Sequence, residues 1–448
     1  MNSGLDKAAV AKSLLDKFVK AGATDAIVNI NEDNSQQIKF ANSKIAITQD
    51  WTIAKADVFV AVGKKLVATT IKDFSENAVL DSVSKIMKFA EASLPNEDYK
   101  GIAEGPFTYK SVEDTYDPKI ANMDERAVDL AIAGINAAMT KGVKRTAGVL
   151  ESSVFSTYLL TTNNVEAEDR GTKLYFSIRA LIDKYASGHR VSNSRILSKF
   201  DPESEGIKAA EIAEMSQNPE PGKEGVYDVL FEPLPFSNIL QQIGEASSAF
   251  NVESQLSCLA GKIGQQIGAE SVNLSDAGNL PNGFNASPFD AEGTPTRKTP
   301  IIENGVLKTY LHNTSTAKRH KTQTTGNAGL LSPSPFNIVF NNGKLNKDEI
   351  ISEMKKGLIV TNVWYTRFQN YATGDFSTIP RDGMFFVENG KISRPVKELR
   401  VSENLLHILK NVAAIGNKAE QVFGWEVELP VTTPPVMVRD VHLTKSVS

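Results

Sequence analysis

Few residues in this chain are suited to metal or nucleophilic chemistry. There are five histidines, His189, His312, His320, His407 and His442, and one cysteine, Cys258. A zinc centre needs three or four nitrogen, sulfur or oxygen donors at one point, usually with two of them close in sequence. No pair of histidines has His-x-x-x-His spacing, and His312 and His320 are eight positions apart on a strand running into a loop. They read as hydrogen-bonding or surface histidines, and no metal site is expected in this chain. Cys258 sits in Gln255-Leu-Ser-Cys-Leu-Ala among apolar neighbours and reads as a small buried hydrophobe. A nucleophile would need a base beside it, and none is evident. Gly261-Lys-Ile-Gly264 lacks the spacing and the following Ser or Thr of a phosphate loop. Carboxylates such as Asp114, Asp117, Asp290, Glu292 and Glu303 are plentiful, but none can be paired across space from sequence, so a glycosidase has no support.

Polar turns set against strand patterns carry more information. Asp290-Ala-Glu-Gly-Thr-Pro-Thr, Ile302-Glu-Asn-Gly-Val-Leu-Lys-Thr-Tyr and Thr324-Thr-Gly-Asn follow one another closely. Asn304-Gly305 between apolar runs is a strong hairpin signal, and Glu292-Gly293 is a second turn pair. Loops held on a β framework are where binding residues concentrate. Asp290, Glu292, Thr324, Thr325 and Asn327 are therefore candidates for lining a substrate passage. So are Tyr365, Arg367, Tyr371 and Asp375, in and beside Trp364-Tyr-Thr-Arg-Phe-Gln-Asn-Tyr, where aromatic area meets a guanidinium fork. A plainer reading stands beside this one. Residues 364–371 would be a strand and turn packed into the core with Arg367 paired to Asp375, and 324–327 a tight turn in which Gly326 supplies a positive φ.

The elements that must hold these residues suggest an α+β protein. Its two-part N-terminal α/β region is followed by a β-rich C-terminal domain with antiparallel sheets. Residues 1–95 form a first module: a helix over 5–21 with Val10, Leu14 and Phe18 on one face, strands near 26–30, 37–40, 57–62 and 66–71, and a helix over 75–92. Residues 96–221 form a second, with a helix over 124–140 capped by Asp124, strands over 146–152, 155–162 and 174–182, and a helix over 207–215. Asn218-Pro-Glu-Pro-Gly-Lys-Glu-Gly marks the boundary to the third, 222–448. There, helices are expected at 236–250, 254–266, 347–356 and near 403–411 among short strands.

Composition removes several classes. A net charge of −4 over 448 residues offers no basic face for nucleic acid. The apolar runs are too short to span a bilayer. One cysteine points to a reducing compartment, and the opening residues do not read as a signal peptide, so a cytoplasmic location is expected.

Three stretches, in order along the chain, carry a resemblance to the TldD/PmbA (TldE) family, of an archaeal-like kind. They are Leu160-Thr-Thr-Asn-Asn-Val-Glu-Ala-Glu-Asp in the centre, Gly222-Lys-Glu-Gly-Val-Tyr-Asp-Val-Leu-Phe-Glu-Pro-Leu at the head of the third region, and Gly374-Asp-Phe-Ser with Phe386-Val-Glu-Asn-Gly-Lys-Ile near its end. The metal-bearing type of that family has His-Glu-x-x-x-His on a helix about twenty residues before a Phe-x-Gly-x-x-Gly element, and a cysteine near the C-terminus. Here the glycine element resembles Leu259-Ala-Gly261-Lys-Ile-Gly264. The helix position holds Leu240-Gln241-Gln242-Ile243-Gly244-Glu245, and Phe423-Gly-Trp-Glu-Val-Glu-Leu-Pro has no cysteine. The resemblance thus implies a metal-free TldE/PmbA-type subunit of a metalloprotease that cleaves peptides or unfolded segments. It implies no catalytic residue and no cofactor in this chain, zinc in a TldD-like partner, and a homodimer as an option when that partner is absent. A stand-alone peptide-binding or scaffold protein is the alternative. An enzyme with a different metal site, built from His312, His320 and carboxylates, is the remaining one.

Overall fold

The computed structural model describes residues 5–445. Its N-terminal part is one six-stranded antiparallel sheet, in the order β3-β2-β1-β4-β5-β6. These strands are β1 (Asp25–Ala41), β2 (Lys44–Val62), β3 (Lys65–Ile71), β4 (Arg145–Thr161), β5 (Glu166–Leu181) and β6 (Ser187–Ser194). The sheet is continuous across residues 95 and 96. β4 lies directly against β1, from Ile27 opposite Thr161 to Phe40 opposite Gly148.

β1 and β2 are each one long strand where the sequence suggested fragments. The polar run Asn31–Gln36 hides the continuity from a hydrophobicity reading. In the sheet β1 is paired on both sides, so its backbone is satisfied whatever its side chains are. Its polar side chains bond to their neighbours, Asn31 Nδ2 to Asp57 at 3.0 Å and Thr157 Oγ1 to Asn29 at 2.5 Å. The two-residue turn Asn42-Ser43 has φ values of 49° and 59°, as a tight hairpin requires.

Two pairs of helices cover this sheet. α1 (Lys7–Lys20) and α2 (Glu76–Ala92) close a core of Leu14, Phe18, Val28, Val58 and Val83. α3 (Arg126–Ala138) and α4 (Pro202–Met215) close another, with Ile135, Phe176, Ile178 and Ala210. α3 and α4 touch through glycine: a Cβ on Gly206 would stand 2.3 Å from the Gly134 carbonyl oxygen. Asp124 does not cap α3. Its φ is 48°, incompatible with the extended N-cap conformation, and the cap position falls to Glu125, which makes no side-chain capping bond.

The C-terminal part contains two further sheets. The ten-stranded mixed sheet is centred on β7 (Gly225–Phe231), which runs parallel to 356–360 and antiparallel to the last strand. A six-stranded sheet surrounds residues 274–277. Helix α5 (Pro233–Ala246) packs on both sheets. Phe236 meets Phe231 from one and Phe340 from the other, and only Gln242 and Glu245 escape burial. A helix buried almost all round is what a largely apolar segment between two layers should give. The hairpin at Asn304-Gly305 forms as its sequence suggested, with φ of 49° and 74° and Glu303 opposite Val306.

The helix expected over 254–266 does not form. Gln255, Gly261 and Gly264 take φ of 58°, 69° and 80°, and the chain turns repeatedly there. Tyr310 pins the turns, its hydroxyl accepting from Gly261 N–H and donating to the Leu259 carbonyl. An ion cluster around Arg190, and separately the pair Arg179–Asp382 at 2.6 Å, join the N- and C-terminal parts. Arg190 on β6 is buried among Glu205 at 2.7 Å, Glu420 at 2.5 Å and Glu232 at 3.7 Å. No described helix is long and apolar enough to cross a membrane.

Candidate functional site

Five of the nine candidate residues fall in one place, and of the other four only Arg367 lines a second. The first is a seam between the N-terminal sheet and the C-terminal part. Asp290 and Glu292 are both buried. One oxygen of Asp290 accepts from the N–H groups of Glu292 and Thr294, and the other from Ala328 N–H at 2.8 Å. This carboxylate ties its own turn to the 324–328 loop. Glu292 accepts from Thr314 N–H at 3.2 Å. Between them, Gly293 has φ of 79°, its carbonyl accepts from Tyr109 Oη at 2.7 Å, and a Cβ there would lie 2.3 Å from Val165. Desolvation is the main cause that holds both carboxyls well above the ordinary range, and for Glu292 the neighbouring Asp290 charge adds to it.

The second loop is equally committed. Thr324 and Thr325 both donate through Oγ1 to the His312 carbonyl, and Thr325 Oγ1 accepts from His312 N–H. Asn327 Nδ2 donates to buried Asp276 at 2.6 Å and to the Ser334 carbonyl. Burial pushes Asp276 up to about 6 despite that bond and those from Phe336 and Asn337 N–H. Asp290, Glu292, Thr325 and Asn327 are thus internal braces, and the tight-turn reading of 324–327 describes their contacts.

The second place is a groove of about 720 Å³ over α5, and Arg367 is the one candidate residue that lines it. Its floor is Asn238, Gln241, Gln242 and Glu245 of α5, and its far wall is the 425–429 loop. Its near wall is β8 (Val363–Asn370), the outermost strand of the ten-stranded sheet, which pairs with β9 (Asp375–Pro380). Arg367 is exposed and makes no ion pair with Asp375; its guanidinium donates to the Thr366 carbonyl. Asp375 instead accepts from Asn404 and Thr373, which hold its carboxyl below the usual range. Tyr371 stacks on Phe368 at 4.7 Å, away from the groove lining.

Amide side chains join helix and loop. Gln241 Nε2 and Asn238 Nδ2 both donate to the Glu426 carbonyl, at 2.5 and 2.6 Å. Gln241 Oε1 accepts from Glu428 N–H at 2.9 Å and from Leu429 N–H. Gly244, one turn on, lets α5 approach Ile338 and Leu429, each within 2.9 Å of where a Cβ would stand. The rim is conformationally strained. Tyr365, Trp425 and Glu426 have φ of 58°, 35° and 62°, and Tyr365 N–H donates to the Glu426 carboxylate at 2.9 Å. Left-handed φ at bulky residues costs about 1–3 kcal/mol each and gathers at functional surfaces. Sequence reasoning missed Asn238, Trp425 and Glu426 as site residues; the signal within reach was the alignment of 240–245 with a metal helix.

Zinc does not fit this groove. None of its lining residues is a histidine or cysteine, and both polar ends of Gln241 are engaged by backbone groups. The carboxyl of Glu245 reaches into the groove and is held above its usual range by desolvation and by Glu428. Elsewhere, Cys258 is buried with its thiol pushed up to about 11 by desolvation, as expected of an inert side chain. His189 is buried between Ser177 and Asn362, its imidazole pushed down to about 4 by desolvation. The His312 and His320 rings lie 5.0 Å apart, tilted at 58°. His312 Nδ1 faces Thr316 and His320 faces Glu253, and among the described residues they are in no group of three metal-ligating side chains.

Comparison with known proteins agrees with this architecture. The model described as the PmbA/TldA metallopeptidase C-terminal domain matches residues 224–445, and the central-domain model of the same family matches 115–217. An uncharacterized protein of Methanocaldococcus jannaschii is 29% identical over 358 residues, 78% of this chain and 80% of its own. A metalloprotease PmbA homolog of Haemophilus influenzae is 25% identical over 388 residues, 81% of each chain. In fold, the chain is similar to the crystal structure of TldE from Thermococcus kodakarensis, with a TM-score of 0.87 at 19% identity over 97% of this chain and 100% of that one. With two successive domains matched in order and a sheet architecture shared end to end, this chain belongs to the PmbA/TldD family.

Proposed function

We propose that this chain is the subunit without the catalytic zinc in a two-chain metallopeptidase and contributes a binding groove for extended peptide, with that zinc on a TldD-like partner. The observation that carries this reading is Gln241. It stands on the helix that resembles the metal helix and joins it to the 426–429 loop through three backbone groups. A hydrogen-bonded amide there holds helix and loop together without an ion. The groove suits an extended chain, because β8 is an outermost strand and an outermost strand can pair with a peptide backbone. Trp425, half exposed, offers a flat apolar surface beside Arg367, while Glu245, Glu426 and Glu428 give the groove a net negative charge. That balance favours peptides carrying basic residues or a free amino end.

The test is reconstitution. This chain is purified alone, and also together with a chain from the same source that carries His-Glu-x-x-x-His. Peptide hydrolysis is then followed for each chain and for the mixture. The expected result is activity only when both are present, together with near-stoichiometric co-purification. Peptide binding by this chain alone, with no such partner retained at modest salt, favours the stand-alone binding protein. Hydrolysis by this chain alone overturns both.

A further inference from the structure

Two strands in from β8, the groove wall, three side chains of metal-ligating type converge. Glu403 is the last but one residue of β10 (Leu399–Asn404), His407 lies on the following helix α6 (Leu405–Lys410), and His442 lies on β11 (Val436–Lys445), the last strand among the described residues. We propose that Glu403, His407 and His442 form a binding site for a divalent transition-metal ion of the zinc class, which clips the last strand to the rest of the sheet.

The geometry is close to what such an ion needs. The three ligand atoms lie within 4.8 Å of one another. Glu403 Oε2 is 2.9 Å from His442 Nδ1 and 3.7 Å from His407 Nε2. Donors about 2.1 Å from a tetrahedral zinc stand about 3.4 Å apart, between those two distances. The two ring centroids are 5.7 Å apart with planes at 58°, and His407 Nε2 and His442 Nδ1 both lie near the Glu403 carboxylate. Two imidazoles and one carboxylate are a borderline donor set, suited to zinc and its neighbours and poorly suited to calcium or magnesium, which prefer all-oxygen shells.

The local backbone prepares the site. Asn404 caps α6 by accepting from Leu406 and His407 N–H, which fixes His407 one turn after Glu403. A bulge between Val438 and Val441, with Asp440 at φ 55°, brings the Asp440 carbonyl to 3.0 Å from His407 Nε2. That carbonyl accepts the imidazole proton when no metal is bound. Glu403 also accepts from His442 N–H at 3.1 Å, so its side chain, only 5% exposed, is held in place before any ion arrives. His407 and His442 are open enough to admit one, with side chains 31% and 55% exposed. Three protein donors leave a position for water. No base stands beside it among the residues described here, so the role assigned is structural.

The experiment uses the untagged full-length chain, stripped of metal and dialysed against zinc chloride at low micromolar concentration. Zinc per chain is then measured by elemental analysis, and cobalt chloride serves as the spectroscopic probe. The expected result is one zinc per chain, visible cobalt absorption typical of four- or five-coordination, and a zinc-dependent rise in Tm. His407→Ala and His442→Ala should each weaken binding by about tenfold or more, since loss of a ligand exceeds loss of an outer-shell partner. Both should melt like the parent chain without metal, and Glu403→Gln, which keeps the shape but replaces the anionic donor, should lower the affinity as well. No stoichiometric uptake overturns the site and leaves the zinc-free groove intact. Uptake that survives both histidine substitutions and is lost in Glu245→Gln would put the ion on α5, and overturns this site and the proposed function together.

Discussion

The seam around Asp290 and the groove over α5 are both rich in polar side chains, yet they have opposite structural economies. In the seam, buried carboxylates have their oxygens filled by the chain's own N–H groups, and Asp290 alone accepts three. In the groove, acidic and amide groups line an open volume, while left-handed φ at Tyr365, Trp425 and Glu426 strains the rim. The seam is a joint that ties two loops of the C-terminal part together and sets one of them, at Gly293, against Tyr109 and Val165 of the N-terminal part. The groove is a surface held in shape at some internal cost. Polar loops between strands announce either outcome, and what separates them is whether backbone donors close over the side chain.

The contrast can be broken most forcefully at Asp290. Asp290→Ala leaves three N–H groups without an acceptor in a buried turn, and should cost about 3 kcal/mol or more of stability in urea unfolding. An effect below about 1 kcal/mol would mean that water replaces the carboxylate and that the seam is open.

Next in size is a pH effect from Glu292. Its pKa in the folded chain lies above that of the unfolded chain, because burial penalises the charged form. The folded state therefore holds the proton more tightly. This contribution is full below the ordinary carboxylate range and is lost as pH rises through the folded value. The slope is at most about 1.4 kcal/mol per pH unit for each such group. Stability should fall between mildly acidic and mildly alkaline pH, and Glu292→Gln should flatten the fall. Asp276, pushed up to about 6, retains its smaller share in that variant.

Gln241 tests the boundary between joint and groove. Gln241→Ala removes an acceptor from Glu428 and Leu429 N–H and a donor from the Glu426 carbonyl, and should cost about 2 kcal/mol. Hydrogen exchange at residues 426–429 should quicken more than exchange at residues 290–294. Equal acceleration at both would show that the two regions are mechanically one.

The smallest stability effect belongs to Arg367, an exposed groove residue. Arg367→Ala should leave stability within about 0.5 kcal/mol. Binding of a labelled basic peptide with a free C-terminal carboxylate, read by fluorescence, should weaken by about 1 kcal/mol or more, roughly fivefold, because the groove loses the cation that lines it and could pair with that carboxylate. A stability loss without a binding loss would move Arg367 to the structural side.

Much of the architecture was legible in the chain. The amphipathic periods of 7–20 and 76–92 and the Asn304-Gly305 hairpin follow from local chemistry. Polar strands were not. Asn31–Gln36 reads as loop until two neighbouring strands are seen to saturate its backbone. The helix expected over 254–266 failed because Gly261 and Gly264 adopt positive φ, a cost hidden behind good apolar spacing. The site was least legible. Turn-rich loops drew attention to buried braces, whereas Asn238 and Glu426, on the two sides of the groove, are far apart in sequence and meet only through the Glu426 carbonyl.

The pairing of β7 with β11 also has a consequence in time. Phe231 at the head of the C-terminal part lies opposite Val436 near its end, roughly two hundred residues later. During synthesis, one flank of that central strand stays vacant until β11 has left the ribosome. A chain interrupted before β11 would expose a long, apolar, unpaired edge in the middle of its largest sheet. Completion of β11 is thus the step that separates a foldable product from one prone to aggregate, and forms cut short before it should be recovered mainly in the insoluble fraction.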